Sequence, residues 1–440
     1  MRGPTSNGRR PVGPLPLDAL DLDPSDVRAR LREARDRGQP FFPWPDLSPG
    51  DWRRSLAAVG STVAEVLRRD ADGCAPASAP VSLAAPAGAR ALGIAAFTSG
   101  TGPLLGRWIE DRSVAADDDA ARLLLLHLEH GRRRAARLET RLGHVLGALA
   151  AAGVEPTVIK GLHTGRAFFP EPGARPLADL DLVVEAEEIP SASGALAAAG
   201  LIPRPTLQRP YMCEWTPPDV PPVPVSLELT HQANPWSVDL HGSFERDFGG
   251  VRRLSVVPSA SEATVRWDGV GRARVLRQPY LTAYLALHAS QELKNLMLVR
   301  LFELVLVIRG GLRDGSFSWG SLRALLESRD ALPFVYPAFA LAERLAPGTV
   351  PRDFLSASRA STNPRVRKIV DELSPATAQR LESVDLREQF MWARSPRDHV
   401  RRGWRALWPA WAGSAAGVLR VQATRLRQLV KRRVGLGGSR

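Results

Sequence analysis

Between Asp118 and Val184 the spacing of apolar residues switches from helical to extended, and that switch limits the chain to folds that mix helix with sheet. Leu138, Leu142, Val145 and Leu149 recur at i, i+4, i+7 and i+11, the signature of one stripe on a long helix starting near Asp118, with Gly153 as a stop past its end. Residues 156–160 then read as a short strand, 162–169 as a helix, 170–176 as a turn and 180–184 as a second strand.

Further along, residues 190–200 form an Ala-rich helix ended by Gly200, and 211–215, 225–230 and 237–240 read as short strands between Pro-rich turns. Beyond Pro279 the pattern returns to helix over 280–309, 321–328 and 334–346. The expected class is α+β: a small mixed β-sheet core flanked by large N- and C-terminal helical regions. Boundaries are expected near 1–117 (a loose start, then mainly helical), 118–278 (core), 279–390 (helical) and 391–440 (a basic tail).

A chain of 440 residues with 44% apolar and 24% charged residues is globular in composition and long enough for two to four domains. Its net charge of +13 is unevenly placed: residues 391–440 carry twelve Arg or Lys and one acid, Asp398, so the body is close to neutral. Only four residues are lysines (Lys160, Lys294, Lys368 and Lys431), and the other 55 basic residues are arginines, which makes each lysine conspicuous. Cys74 and Cys213 form neither a metal pair nor a disulfide framework, as a reducing cytoplasm allows. The N-terminus lacks the apolar run of a signal peptide, and the most apolar stretch, 293–308, is interrupted by Lys294, Arg300 and Glu303, so no transmembrane segment is expected. A cytoplasmic protein, soluble or peripheral to a membrane, is the expectation.

The segment 175–184, Arg-Pro-Leu-Ala-Asp-Leu-Asp-Leu-Val-Val, is the most informative chemically. Strand side chains alternate, so Asp179 and Asp181 share one face and Leu180 and Leu182 the other. Two half-buried carboxylates resist double ionisation unless a cation compensates them, and Mg²⁺ or Mn²⁺ with substrate phosphates suits such a pair. Taken alone, an Asp-x-Asp at an exposed strand end fits the pattern equally well. Upstream, Lys160 and Gly161 sit where a strand meets a helix, eighteen residues before Asp179, so that a phosphate can approach the glycine backbone beside a cation.

The ordered set Val158-Ile-Lys160-Gly161, then 175–184, then Val238-Asp239-Leu-His241 resembles the uncharacterised bacterial nucleotidyltransferase family of the DNA polymerase β superfamily, over roughly 118–310. The resemblance implies a small mixed sheet with helices on one side and a metal-dependent enzyme. Such an enzyme transfers a nucleoside monophosphate from an NTP to an acceptor that the sequence does not name. It further implies Asp179, Asp181 and Asp239 as catalytic, metal-binding carboxylates, with Asp239 assisting acceptor deprotonation or holding a second metal. Lys160, Gly161, Arg175 and His241 would contact nucleotide or phosphate, although Arg175 also suits a structural role and His241 a satisfied place inside the sheet. Glu228 competes with Asp239 for the third carboxylate. The superfamily's usual Gly-Ser turn is replaced by Lys160-Gly161, so a serine contact to phosphate is missing. That departure keeps open a catalytically inactive member acting as a binding or scaffold protein.

Other polar residues carry weaker expectations. His127 and His130 lack a third metal ligand at a recognisable spacing, and His163 sits in the first turn after Gly161. His288 and Glu303 are expected to dock a helix to the sheet. There is no G-x-x-x-x-G-K-[ST] phosphate loop and no H-E-x-x-H zinc helix. In the tail, arginines alternate with Trp404, Trp408, Trp411 and Leu419, which suits an anionic membrane surface, an amphipathic helix packed on the body or, less well, nucleic acid.

Overall fold

The computed structural model describes residues 15–36, 43–71, 79–205, 212–267, 269–379, 390–408, 414–419, 422, 423 and 426. The expectations on residues 1–14, on Cys74, on Tyr211 at the start of a strand, and on most of the tail past 408 lie outside the described residues. The N-terminal part contains α1 (Pro24–Asp36), α2 (Pro49–Ala71), β1 (Val81–Ser82), α3 (Gly88–Ser99), α4 (Gly102–Glu110) and β2 (Val114–Ala115), with β1 and β2 forming a separate parallel pair. The long helix α5 (Asp118–Ala151) starts where the Asp117 carboxylate accepts from the Ala120 N–H at 2.9 Å. It ends as its sequence requires: Gly153 takes φ +76°, and Val154 N–H closes back onto Leu149 at 2.9 Å.

Next come β3 (Thr157–Val158), α6 (Leu162–Phe168), β4 (Asp179–Val183), α7 (Ile189–Ala198), β5 (Ile202–Pro205), β6 (Met212–Thr216) and β7 (Ser237–His241). After them lie β8 (Arg246–Phe248), β9 (Arg252–Leu254), α8 (Ala260–Ala263), β10 (Thr264–Trp267) and β11 (Ala273–Leu276). Seven strands make one mixed sheet in the order β10-β11-β3-β4-β7-β6-β5, and β8 with β9 forms a hairpin of its own. The expected strand at 225–230 does not form. Prolines 217, 218, 221, 222 and 224 remove backbone donors just before it, and the Asn234 side chain takes the Val225 and Ser226 N–H groups at 2.8 and 3.2 Å, so this segment closes as a loop.

The alternation of β4 divides the interior in two. Leu180 and Leu182 join Val158, Val238 and Leu240 against the α5 stripe of Leu138, Leu142, Val145 and Leu149. Val183, Ile159 and Leu276 enter the second and larger cluster, built on α9 (Tyr280–Gln291), α10 (Leu298–Arg313), α11 (Trp319–Ser328) and α12 (Leu332–Leu345). The expected single helix at 280–309 is therefore two. Leu293, Leu296 and Leu298 are all at most 1% exposed, and the chain turns between α9 and α10 to bury them together. Helices on both faces of the sheet replace the one-sided layer that the resemblance implied.

The described chain continues through α13 (Arg352–Ser361), α14 (Pro364–Glu372) and α15 (Pro396–Leu407). One face of α15 is tied to the β8–β9 hairpin, where Arg401 donates to Val251 O at 3.4 Å and Arg405 lies 3.8 Å from Asp247. Its other face is open: Val400, Trp404, Leu407 and Trp408 are 50–72% exposed, so Trp404 and Trp408 stack on each other instead of packing on the body.

Candidate active site

A buried arginine aligns the two central strands. Arg134 projects from α5, is 2% exposed, and donates to Leu177 O and, at 3.2 Å, to Ala178 O just before β4. Its Nη2 and Nη1 also reach Pro235 O and Asn234 O, both at 2.7 Å, just before β7, with a longer bond of 3.4 Å to His231 O. Burial lowers its pKa to about 10, and Arg137 adds to that lowering while Asp179 opposes it. One guanidinium thereby fixes the two segments that lead into β4 and β7. The parallel ladder then sets Asp179 opposite Ser237, Asp181 opposite Asp239 and Val183 opposite His241.

On that face the structure brings together Lys160, Asp179, Asp181, Asp239 and His241. Lys160, 11% exposed, forms an ion pair with Asp181 and lies 3.9 Å from Asp179. Ligand atoms of Asp181, Asp239 and His241 all fall within 4.8 Å of one another. Burial pushes the Asp181 carboxyl upward, yet the Lys160 ammonium, joined by the His241 ring, holds it well below the usual range. Asp239 moves the other way. Burial, joined by Asp179 and Asp181, raises its pKa to about 7, while Ser237 Oγ donates to it at 3.3 Å. His241 is driven toward the neutral imidazole by burial, and its Nε2 lies 3.6 Å from Asp181, beyond hydrogen-bond reach.

These residues fit a divalent cation. Three carboxylates face one ammonium, an excess of two negative charges when all are ionised, and a buried imidazole nitrogen has no partner. The raised pKa of Asp239, set first by burial and then by the charges of Asp179 and Asp181, reflects that excess of negative charge.

Gly161 forms the corner after β3 with φ +73° and ψ −111°, a conformation that a side chain would strain. A Cβ there would still have room, its nearest neighbour being Leu177 Cδ2 at 3.6 Å, so backbone conformation and not crowding asks for glycine. The helix that follows, α6, is only seven residues long, so its dipole adds little.

Arg175 lies beside the cluster, but three of its N–H groups are engaged: Nε and Nη2 bind Glu303 at 2.9 and 3.2 Å, and Nη1 reaches Pro176 O at 3.2 Å. Glu303, 4% exposed, is raised by burial, but Arg175, with help from Thr164 and Lys160, brings it below its ordinary value, so it stays ionised. Of the two roles open to Arg175 in the sequence, its contacts support the structural one: with Glu303 it clamps α10 to the turn before β4. Glu228 is placed elsewhere, paired with Arg90 at 2.8 Å. His163 is buried in aromatic packing against Phe168 and Trp267. His288 accepts from Arg300 at 2.8 Å. His127 is buried in the core, while His130 binds Leu17 O at 2.8 Å and packs on His231 with ring centres 4.2 Å apart.

Two contributors escaped the sequence reading. Arg134 precedes Leu138 by four residues and so falls on the apolar stripe of α5, a detectable anomaly. Glu214 stands opposite Asp239 on β6 and helps to raise its pKa; the pairing of β6 with β7 was needed to see this.

A family model described as uncharacterised nucleotidyltransferase matches residues 88–347, more than half of the chain. The chain belongs to this family. The match runs from α3 to just past α12, wider than the resemblance suggested, and contains every residue of the cluster together with Arg134, Arg175 and Glu303. No curated protein and no solved structure matches the chain significantly. Among the described residues of this nucleotidyltransferase-family member, no helix is long and apolar enough to cross a membrane.

Proposed function

We propose that the chain is a metal-dependent nucleotidyltransferase of the DNA polymerase β superfamily that moves a nucleoside monophosphate from an NTP to an acceptor. The observation that carries the reading is the convergence of Asp181, Asp239 and His241 beside Lys160 in a chain of the nucleotidyltransferase family. In this reaction an acceptor oxygen bonds to the α-phosphorus, the α–β anhydride breaks, and pyrophosphate leaves with the bonding electrons. Such transfer depends on positioning and charge neutralisation more than on covalent chemistry from the protein.

Asp181, Asp239 and His241 would hold a divalent cation, Mg²⁺ or Mn²⁺, which supplies charge neutralisation at the phosphates. Asp179, on the exposed side of the cluster, completes the acidic face, and Lys160 with the Gly161 corner receives the phosphates. A carboxylate has two oxygens, so Asp239 can hold the cation with one and take the acceptor's proton with the other.

Pyrophosphate release with each NTP and Mg²⁺ or Mn²⁺ tests this: turnover of at least one NTP is expected, falling at least a hundredfold in Asp181→Asn. NTP binding that Asp179→Asn leaves unchanged, with no turnover by the wild type, would instead mark a non-catalytic binding member. The open Val400, Trp404, Leu407 and Trp408 face of α15, in a tail rich in arginine, supports peripheral association with an anionic membrane as the setting of the reaction.

A further inference from the structure

Away from the acidic cluster, the β8–β9 hairpin, the start of α12 and the segment leading into α15 enclose a cavity of about 600 Å³. Its walls are fixed by aromatic packing. Phe334 and Trp392 stack with ring centres 5.5 Å apart, and Phe248 meets each of them at 4.8 Å. Three segments far apart in sequence are thereby joined into one floor, and Asn363 pins the last of them by donating to Ala393 O at 2.6 Å.

Five arginines line the cavity above this floor. Arg394, Arg397 and Arg401 line its wall at and just before α15, and Arg252 and Arg253 line its wall at β9. Only two acids line the same cavity. Asp330 lies 3.4 Å from Arg252, and Asp398 caps α15 by accepting from the N–H groups of Arg394 and Ser395, both at 3.0 Å. Five cationic side chains against two acids give the cavity lining an excess of positive charge, which attracts an anion. The guanidinium fork matches phosphate oxygens in pairs, and a volume of this size suits a small ligand.

We infer that this cavity is an anion site separate from the nucleotidyl-transfer cluster, and that it binds a group bearing two or more phosphate charges. The group comes either from a free polyphosphate or from the headgroup of an anionic lipid, which the open face of α15 would bring within reach.

The experiment uses the full chain with inorganic tripolyphosphate in EDTA, so that no divalent cation recruits the probe to the acidic cluster, followed by calorimetry. A parallel arm pellets the protein with vesicles of cardiolipin, whose headgroup carries two phosphates, in phosphatidylcholine. The variants are Arg397→Gln and Arg253→Gln, one on each wall, with Lys160→Met as the comparison at the other site. Tripolyphosphate binding that falls at least tenfold in both wall variants and survives in Lys160→Met is expected, and identifies a free phosphate ligand. Vesicle binding that falls tenfold in both wall variants, with tripolyphosphate silent, identifies the lipid headgroup. No binding in either arm, or binding indifferent to both wall variants, overturns the inference. Loss of nucleotidyl transfer in Asp181→Asn bears on neither outcome, so the two readings fail separately.

Discussion

Replacing Arg134 by methionine isolates the device that aligns the site. The substitution keeps an unbranched side chain of similar reach and removes donors from five carbonyls, of Leu177, Ala178, His231, Asn234 and Pro235. Three of those bonds are close, and a buried acceptor left unpaired costs about 1–3 kcal/mol, for a gross loss of about 3–9 kcal/mol. Two effects offset it. Several of these carbonyls are only partly buried, so water can replace the guanidinium. The wild type also carries the burden of a desolvated cation, visible in a pKa lowered from 12.5 to about 10, roughly 3 kcal/mol. A net destabilisation of about 3 kcal/mol follows, read by urea denaturation with tryptophan fluorescence. Because the lost bonds lie at the lead-ins to β4 and β7, Mn²⁺ affinity should fall more than tenfold under conditions where the variant is still folded. Arg134→Lys, with three donors instead of five, should recover about half of each effect. A loss under about 1 kcal/mol with Mn²⁺ affinity intact would refute the claim that Arg134 sets the register of the acidic residues.

The remaining predictions concern charge. Asp239 has a pKa raised from 3.8 to about 7, so between those values the folded chain holds a proton that the unfolded chain releases, and metal-free stability falls as pH rises across that window. Asp239→Asn should therefore match the wild type at pH 4 and exceed it by about 2–4 kcal/mol at pH 8, in denaturation curves with chelator present; equal curves at pH 8 would contradict the burial argument. Glu303→Gln leaves Arg175 without its carboxylate and should cost about 3–5 kcal/mol, whereas Arg175→Met with Glu303→Leu should restore most of that loss. Additive single and double variants would show that the pair does not clamp α10.

The helical half of the fold was legible because its signals are local. The α5 stripe and its Gly153 stop each act within one or two turns, and both appear as the sequence implies; the Asp117 cap is a local signal that the reading passed over. Strands fared less evenly. Residues 179–182 and 237–241 alternate polar with apolar and form strands, whereas 225–230 has the right residue types but sits behind a run of prolines and beside Asn234, whose side chain offers the backbone another partner. The break between α9 and α10 left no mark either, since apolar residues on both sides of it are buried and no proline or glycine punctuates it.

For the site, the face shared by Asp179 and Asp181 follows from strand geometry alone, but what that face meets depends on pairing across the sheet. Asp239 joins Asp181 because β7 lies parallel to β4 at a register that no local signal encodes, and Glu228 leaves the contest because Arg90, on α3, reaches it first. The same logic separates Lys160 from Arg175. Both are cations beside the Asp-x-Asp, and only the rarity of lysine in this chain set them apart in the sequence. Arg175 meets a buried glutamate on α10 and becomes part of the scaffold, while among the described residues Lys160 pairs with carboxylates of the cluster and is left as their counter-charge. A cation held by carboxylates alone can exchange partners when a more highly charged species arrives, and one held by a dedicated scaffold acid cannot. On that physical ground Lys160, rather than Arg175, is the side chain we propose to turn toward phosphate.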